Sequence, residues 1–109
     1  MPALDALASW PVRTAAGVVV GSGGVVETTG PTDWATRIAS VTKPLAAYGC
    51  LVAVEEQTLA LDAPAGPPGA TVRHLLAHAS GLPFVGTTPI AAPGQRRIYS
   101  NTGFDILGE

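Results

Sequence analysis

Ser40-Val41-Thr42-Lys43 pairs a hydroxyl with an amine three positions apart, and an apolar stretch of helical character follows directly. On a helix this spacing sets both groups on one face, a turn apart. That arrangement suits acyl transfer, because a serine is a poor nucleophile until a neighbouring group takes its proton. On local grounds alone, the commoner outcome is an N-cap serine beside a solvated lysine. Tyr99 and Asn101 lie near the other end of the chain. The phenolic oxygen of Tyr99 could act as base or relay once Lys43 polarises it, and the Asn101 carboxamide could bond both Lys43 and a substrate amide. Read locally, a core tyrosine and an Asn N-cap are again the commoner outcome.

Two other patterns invite chemistry and carry less. His74 and His78 stand four apart on a predicted helix, a metal-compatible spacing. They lack an adjacent glutamate or a further ligand cluster, so packing and hydrogen bonding are the favoured roles. Gly21-Ser22-Gly23-Gly24 imitates a phosphate loop, but no helix follows it and no Gly-Lys-Ser/Thr end is present.

The elements that must position these residues can be read in order. Residues 3–9 predict a short helix closed by Trp10-Pro11. Ala15–Val20 and Val25–Thr29 flank the glycine-rich turn and predict a β-hairpin. Gly30–Asp33 is a loop. A long helix is predicted from about Ser40 to Gln57, with Leu45, Tyr48, Leu51, Val52 and Val54 as its apolar face. Pro44 argues that this helix begins near Ser40, because proline is tolerated only in the first turn. The serine then lies at a helix N-terminus, where free N–H groups favour developing negative charge.

Leu59–Gly69 is a connection dense in proline and glycine, with Asp62 read as closing a turn. Thr71 caps a predicted second helix that runs through His78 and ends at Ser80-Gly81. Phe84–Gly94 is a loop, Arg96–Tyr99 a short extended segment, and Asn101 or Thr102 opens a last helix. Trp10, Trp34 and Phe84 are read as core or pocket wall.

The chain has 109 residues, a length typical of one domain, and its 47% hydrophobic content suffices for a packed core. Only 13% is charged, the net charge is −2, and Arg96-Arg97 is the only basic pair, which excludes a nucleic-acid footprint. The single Cys50 sits among apolar residues and predicts a buried free thiol. The first residues carry neither a basic nor a long apolar region, and no window is apolar enough for a membrane span, so the expectation is a cytoplasmic protein unless an upstream leader was removed. Ile106–Glu109 stops inside an apolar pattern without a stop signal, and the expectation is the N-terminal part of a longer protein.

Taken together, the motifs resemble the serine β-lactamase and penicillin-binding-protein superfamily. The likeness is strongest to the branch of class C β-lactamases, D-alanyl-D-alanine carboxypeptidases and related esterases. Arg37–Lys43 resembles the nucleophile motif of that branch, Thr71–Pro83 its T-x-R-H-L-L-x-H-x-S-G-L-P segment, and Tyr99–Gly103 its Tyr-x-Asn motif. The resemblance implies an α/β (α+β) fold, an antiparallel sheet flanked by helices with an all-α subdomain, of which residues 1–109 are the first part. It implies Ser40 as acylated nucleophile, Lys43 as its activating partner, Tyr99 as general base and Asn101 as a substrate-orienting amide. Neither a metal nor an organic cofactor is implied, and the partner is a small-molecule ester, amide or β-lactam.

Ala77 and Ala79 depart mildly from the pattern. The family's third motif, Lys or His two residues before a strand glycine, is not present in the 109 residues. The expectation is therefore a serine hydrolase whose first 109 residues are inactive alone. The rivals are a non-catalytic binding protein of this fold and a truncated product without a stable fold.

Overall fold

The computed structural model describes residues 2–109, which divide into two compact units, one ending at Arg37 and one running from Ile38 to Glu109.

In the first unit, α1 (Pro2–Asp5) passes into a 3-10 turn at Ala6–Ser9, and the chain turns extended at Trp10, one residue before Pro11. Strands β1 (Gly17–Gly21) and β2 (Gly24–Thr29) then form the expected antiparallel hairpin. Its register pairs Val19 with Glu27 and Val20 with Val25, so a bulge falls at Val26. Leu4 and Leu7 crowd the bare backbone of Gly17, where a Cβ would come within 2.7 Å of Leu7. Trp10 and Trp34 are exposed and do not form core.

In the second unit, a single 3-10 turn (Ala39–Val41) leads into α2 (Thr42–Glu55). Pro44 occupies the third position of α2, inside the turn where a missing N–H costs no intrahelical bond. The helix ends in a Schellman motif: Gln57 adopts φ +61°, and the N–H groups of Gln57 and Thr58 close back on Val54 and Ala53. Its apolar side is a correction to expectation. Leu45, Tyr48 and Leu51 are at least half exposed and α2 buries no residue among those described. Cys50 is likewise only partly covered, not buried.

Helix α3 spans Val72–Leu76, two residues shorter at its end than predicted. Thr71 caps it, its hydroxyl accepting the His74 N–H while His74 Nδ1 accepts the Thr71 N–H. It stops because His78 takes a left-handed φ of +55°, with its N–H on Leu75 O and the Ala79 N–H on His74 O. His74 and His78 therefore do not share a helix. Asp62 sits in a turn and its carboxylate pairs with Arg73 at 2.9 Å, which lowers the Asp62 pKa.

The packed centre of this unit is small and holds Ala70, Val72, Leu75 and Leu82, with Ser80 and Ser100 buried and hydrogen-bonded beside them. Residues 78–84 act as a backbone spine. The carbonyls of His78, Ala79, Gly81 and Phe84 accept N–H groups of Ile98, Gly94, Ile90 and Asn101. Arg96–Tyr99 does not form a strand, but this spine holds it in place. Helix α4 (Asn101–Leu107) follows. No helix among the described residues is long and apolar enough to cross a membrane.

Candidate active site

Ser40 is the middle residue of the 3-10 turn, with its N–H among those that a helix start leaves without an intrahelical acceptor. The chain enters this turn through Ala39 at φ +45°, a left-handed conformation that a residue with a Cβ rarely adopts. This bend presents the exposed Ser40 hydroxyl beside the first turn of α2, where Lys43 begins.

The Lys43 ammonium donates to Ser40 Oγ at 3.2 Å and to Asn101 Oδ1 at 2.7 Å. Its nitrogen also lies 4.7 Å from the centre of the Tyr99 ring. One cation thus gathers the three other candidate residues, and the Asn101 contact closes a separation of 58 residues. Hydrogen bonding from Lys43, then from Ser40, lowers the Tyr99 pKa below its ordinary value, and the charges of Lys43 and Arg97 act in the same direction.

Local structure explains why Asn101 is free for this contact. Ser100, not Asn101, is the N-cap of α4: its hydroxyl accepts the Gly103 N–H at 3.0 Å. Asn101 therefore occupies the first helical position, and its backbone N–H is fixed on Phe84 O. Its carboxamide is left to face Lys43. The cap assignment missed from sequence was signalled only by three consecutive cap-competent residues, Ser100, Asn101 and Thr102.

Two neighbouring clefts meet at the Ser40–Lys43 pair. One, of about 300 Å³, continues toward Asn101 and Asp105, and the other, of about 340 Å³, toward His78 and Tyr99. Phe84 is exposed rather than core and lines neither cleft, although its ring stands 6.0 Å from that of Tyr99. His78 also enters the site. Its ring stacks on Tyr99 at 4.5 Å, a contact the sequence does not announce because it depends on the left-handed turn ending α3.

Residues 7–109 match the Beta-lactamase family model. The chain is also similar to the crystal structure of a β-lactamase from Mycobacterium bovis, with 55% sequence identity and a TM-score of 0.88. The match covers 96% of this chain and 39% of that one, so the chain spans about two fifths of the length of the solved relative. No curated protein matches. At this identity the likeness establishes the α/β (α+β) β-lactamase-type fold that the motifs imply, and with the family match over nearly its whole length the chain belongs to the β-lactamase family, within the serine β-lactamase and penicillin-binding-protein superfamily.

Proposed function

We propose that the protein is a serine hydrolase acting by two-step acyl transfer through an ester on Ser40. The observation that carries this reading is the single ammonium shared by Ser40 Oγ and Asn101 Oδ1 beside the Tyr99 phenol. Tyr99 is the general base, and its lowered pKa favours the phenolate that the role needs. In the first step the phenolate oxygen takes the Ser40 proton as Oγ bonds the substrate carbonyl carbon, and the π electron pair moves to the carbonyl oxygen. The Ser40 N–H is one donor to that oxyanion, an interaction worth about 3–4 kcal/mol per donor in other hydrolases.

As the tetrahedral species collapses, the bond to the leaving group breaks and Tyr99 returns the proton to the departing amine or alkoxide. Water then repeats the sequence: it gives a proton to Tyr99, attacks the ester carbon, and Ser40 leaves and recovers its hydrogen. Lys43 holds the phenolate and the serine together throughout. Asn101 fixes Lys43 through its oxygen and offers its NH₂ to a substrate carbonyl.

Clefts of about 300 and 340 Å³ suit a small-molecule ester, amide or β-lactam. Esterase or amidase action is the reading we favour within this class, with carboxypeptidase-like and β-lactamase-like action beside it. A second reading is a non-catalytic binding protein of this fold, and finding no Lys-x-Gly or His-x-Gly strand downstream of Glu109 would favour it. The 109 residues themselves hold no such triplet, and we propose that they do not turn over alone.

Labelling the full-length protein with a fluorophosphonate and a fluorescent penicillin tests the reading. Wild type takes label and Ser40→Ala does not. Equal labelling of both would remove Ser40 as nucleophile, and measurable ester turnover by the 109 residues alone would remove the claim of inactivity.

A further inference from the structure

His78 occupies a position that its own backbone disfavours. It is the left-handed residue closing α3, at φ +55°, a place where glycine is usual and asparagine the next choice. A β-carbon is strained in that conformation, and such strain persists where the surroundings enforce it. What the side chain does there is specific. The residue is 8% exposed, and its ring stacks on Tyr99 at 4.5 Å on one side, with Phe104 at 5.0 Å. Its Nδ1 accepts the Ser100 N–H at 3.0 Å, while its carbonyl accepts the Ile98 N–H at 2.7 Å. Both neighbours of Tyr99 in the chain thus hang from one residue, and the Tyr99 ring rests on that residue's imidazole.

We propose that His78, as its Nε2–H tautomer, is the positioning residue of Tyr99, and that it holds the phenol against Ser40 and Lys43 only while the imidazole is neutral. The consequence for chemistry rests on the serine-hydrolase reading; the hold itself does not. A protonated ring carries a hydrogen on Nδ1, which meets the Ser100 N–H donor to donor and breaks the contact. The charged and titratable groups facing the ring are Lys43 from α2 and Arg97 and Tyr99 from the stretch before α4, while α3 and α4 present Leu76 and Phe104.

Burial first, then the charges of Arg97 and Lys43, lower the His78 pKa from its ordinary value near 6.5. The sign follows. The fold prefers the neutral ring, so its hold on Tyr99 is present above the ordinary value and is lost as pH falls through the lowered one.

Nitrogen-15 NMR of the wild-type chain tests this without a mutation. The expected result is an unprotonated Nδ1 at neutral pH, with the Ser100 amide and the Tyr99 ring signals moving at the same midpoint as His78 on acidification. A protonated Nδ1 at neutral pH, or Ser100 and Tyr99 signals that ignore the His78 titration, overturns the proposal.

Two variants that suit the left-handed backbone separate positioning from stability. His78→Gly relieves the strain yet loses the hold, and fluorophosphonate labelling of Ser40 in the full-length protein should slow by on the order of 10- to 100-fold. His78→Asn keeps a short acceptor, should recover part of that rate, and should lack the acid fall that wild type shows. Unchanged labelling in His78→Gly overturns the proposal. If wild type fails to label while the NMR coupling stands, the hydrolase reading falls and the hold on Tyr99 remains.

Discussion

Lys43 is placed as a donor rather than as a lone base, since two of its three hydrogens already go to Ser40 and Asn101. In the proposed reaction the proton acceptor is then sought beside it, and Tyr99 is the titratable group within reach whose pKa is displaced toward the charged form. Because its folded pKa lies below the ordinary value near 10, the folded state binds fewer protons across that interval. The resulting stabilisation is present above the ordinary value and is lost as pH falls through the lowered one. In a Tyr48→Phe background, the phenolate absorbance of Tyr99 should rise at a midpoint below 10, and Lys43→Ala should move that midpoint upward. A midpoint that does not respond to Lys43→Ala would mean that the lysine is not the cause.

Among the elements, the spine at residues 78–84 matters more to the site than any helix face, because its carbonyls fix both Ile98 and Asn101. Gly81 lies inside it at φ +91°, and a Cβ there would stand 2.0 Å from Ala91 O. Gly81→Ala should therefore destabilise by more than about 1 kcal/mol. Gly49→Ala should do the reverse: in mid α2 a Cβ meets nothing within 4 Å, and alanine gains about 0.5–1 kcal/mol over glycine in a helix. Opposite shifts in denaturant midpoint for one chemical change would confirm the spine; equal shifts would refute it.

The elements also show what a linear reading can reach. The hairpin was legible because β-branched runs flank a glycine turn, and α2 because Pro44 limits where its first turn can lie. Ser40, Lys43, Tyr99 and Asn101 were legible as spaced motifs, and the structure brings them together. The end of α3 was not legible, because the left-handed residue there is a histidine and no glycine marks it. Nor was the His78 contact with Ser100, which spans 22 residues and depends on that unmarked turn.

At the scale of the whole molecule, apolar surface is the dominant fact. Few side chains are buried, while Leu45, Tyr48 and Leu51 on α2 are between 50% and 71% exposed. In the isolated 109 residues such a surface should bind an apolar dye, and Leu51→Glu should weaken the fluorescence of anilinonaphthalene sulfonate without changing the helix content seen by circular dichroism. Dye binding unaffected by Leu51→Glu would place the apolar surface elsewhere. The bond between Lys43 and Asn101 carries a consequence in time. On a ribosome adding about 5–20 residues per second, the 58 residues between them take roughly 3–12 s to appear. During that interval the nascent chain has a serine and a lysine but neither the phenol nor the carboxamide. On the proposed reading, the serine is made early and gains its partners late.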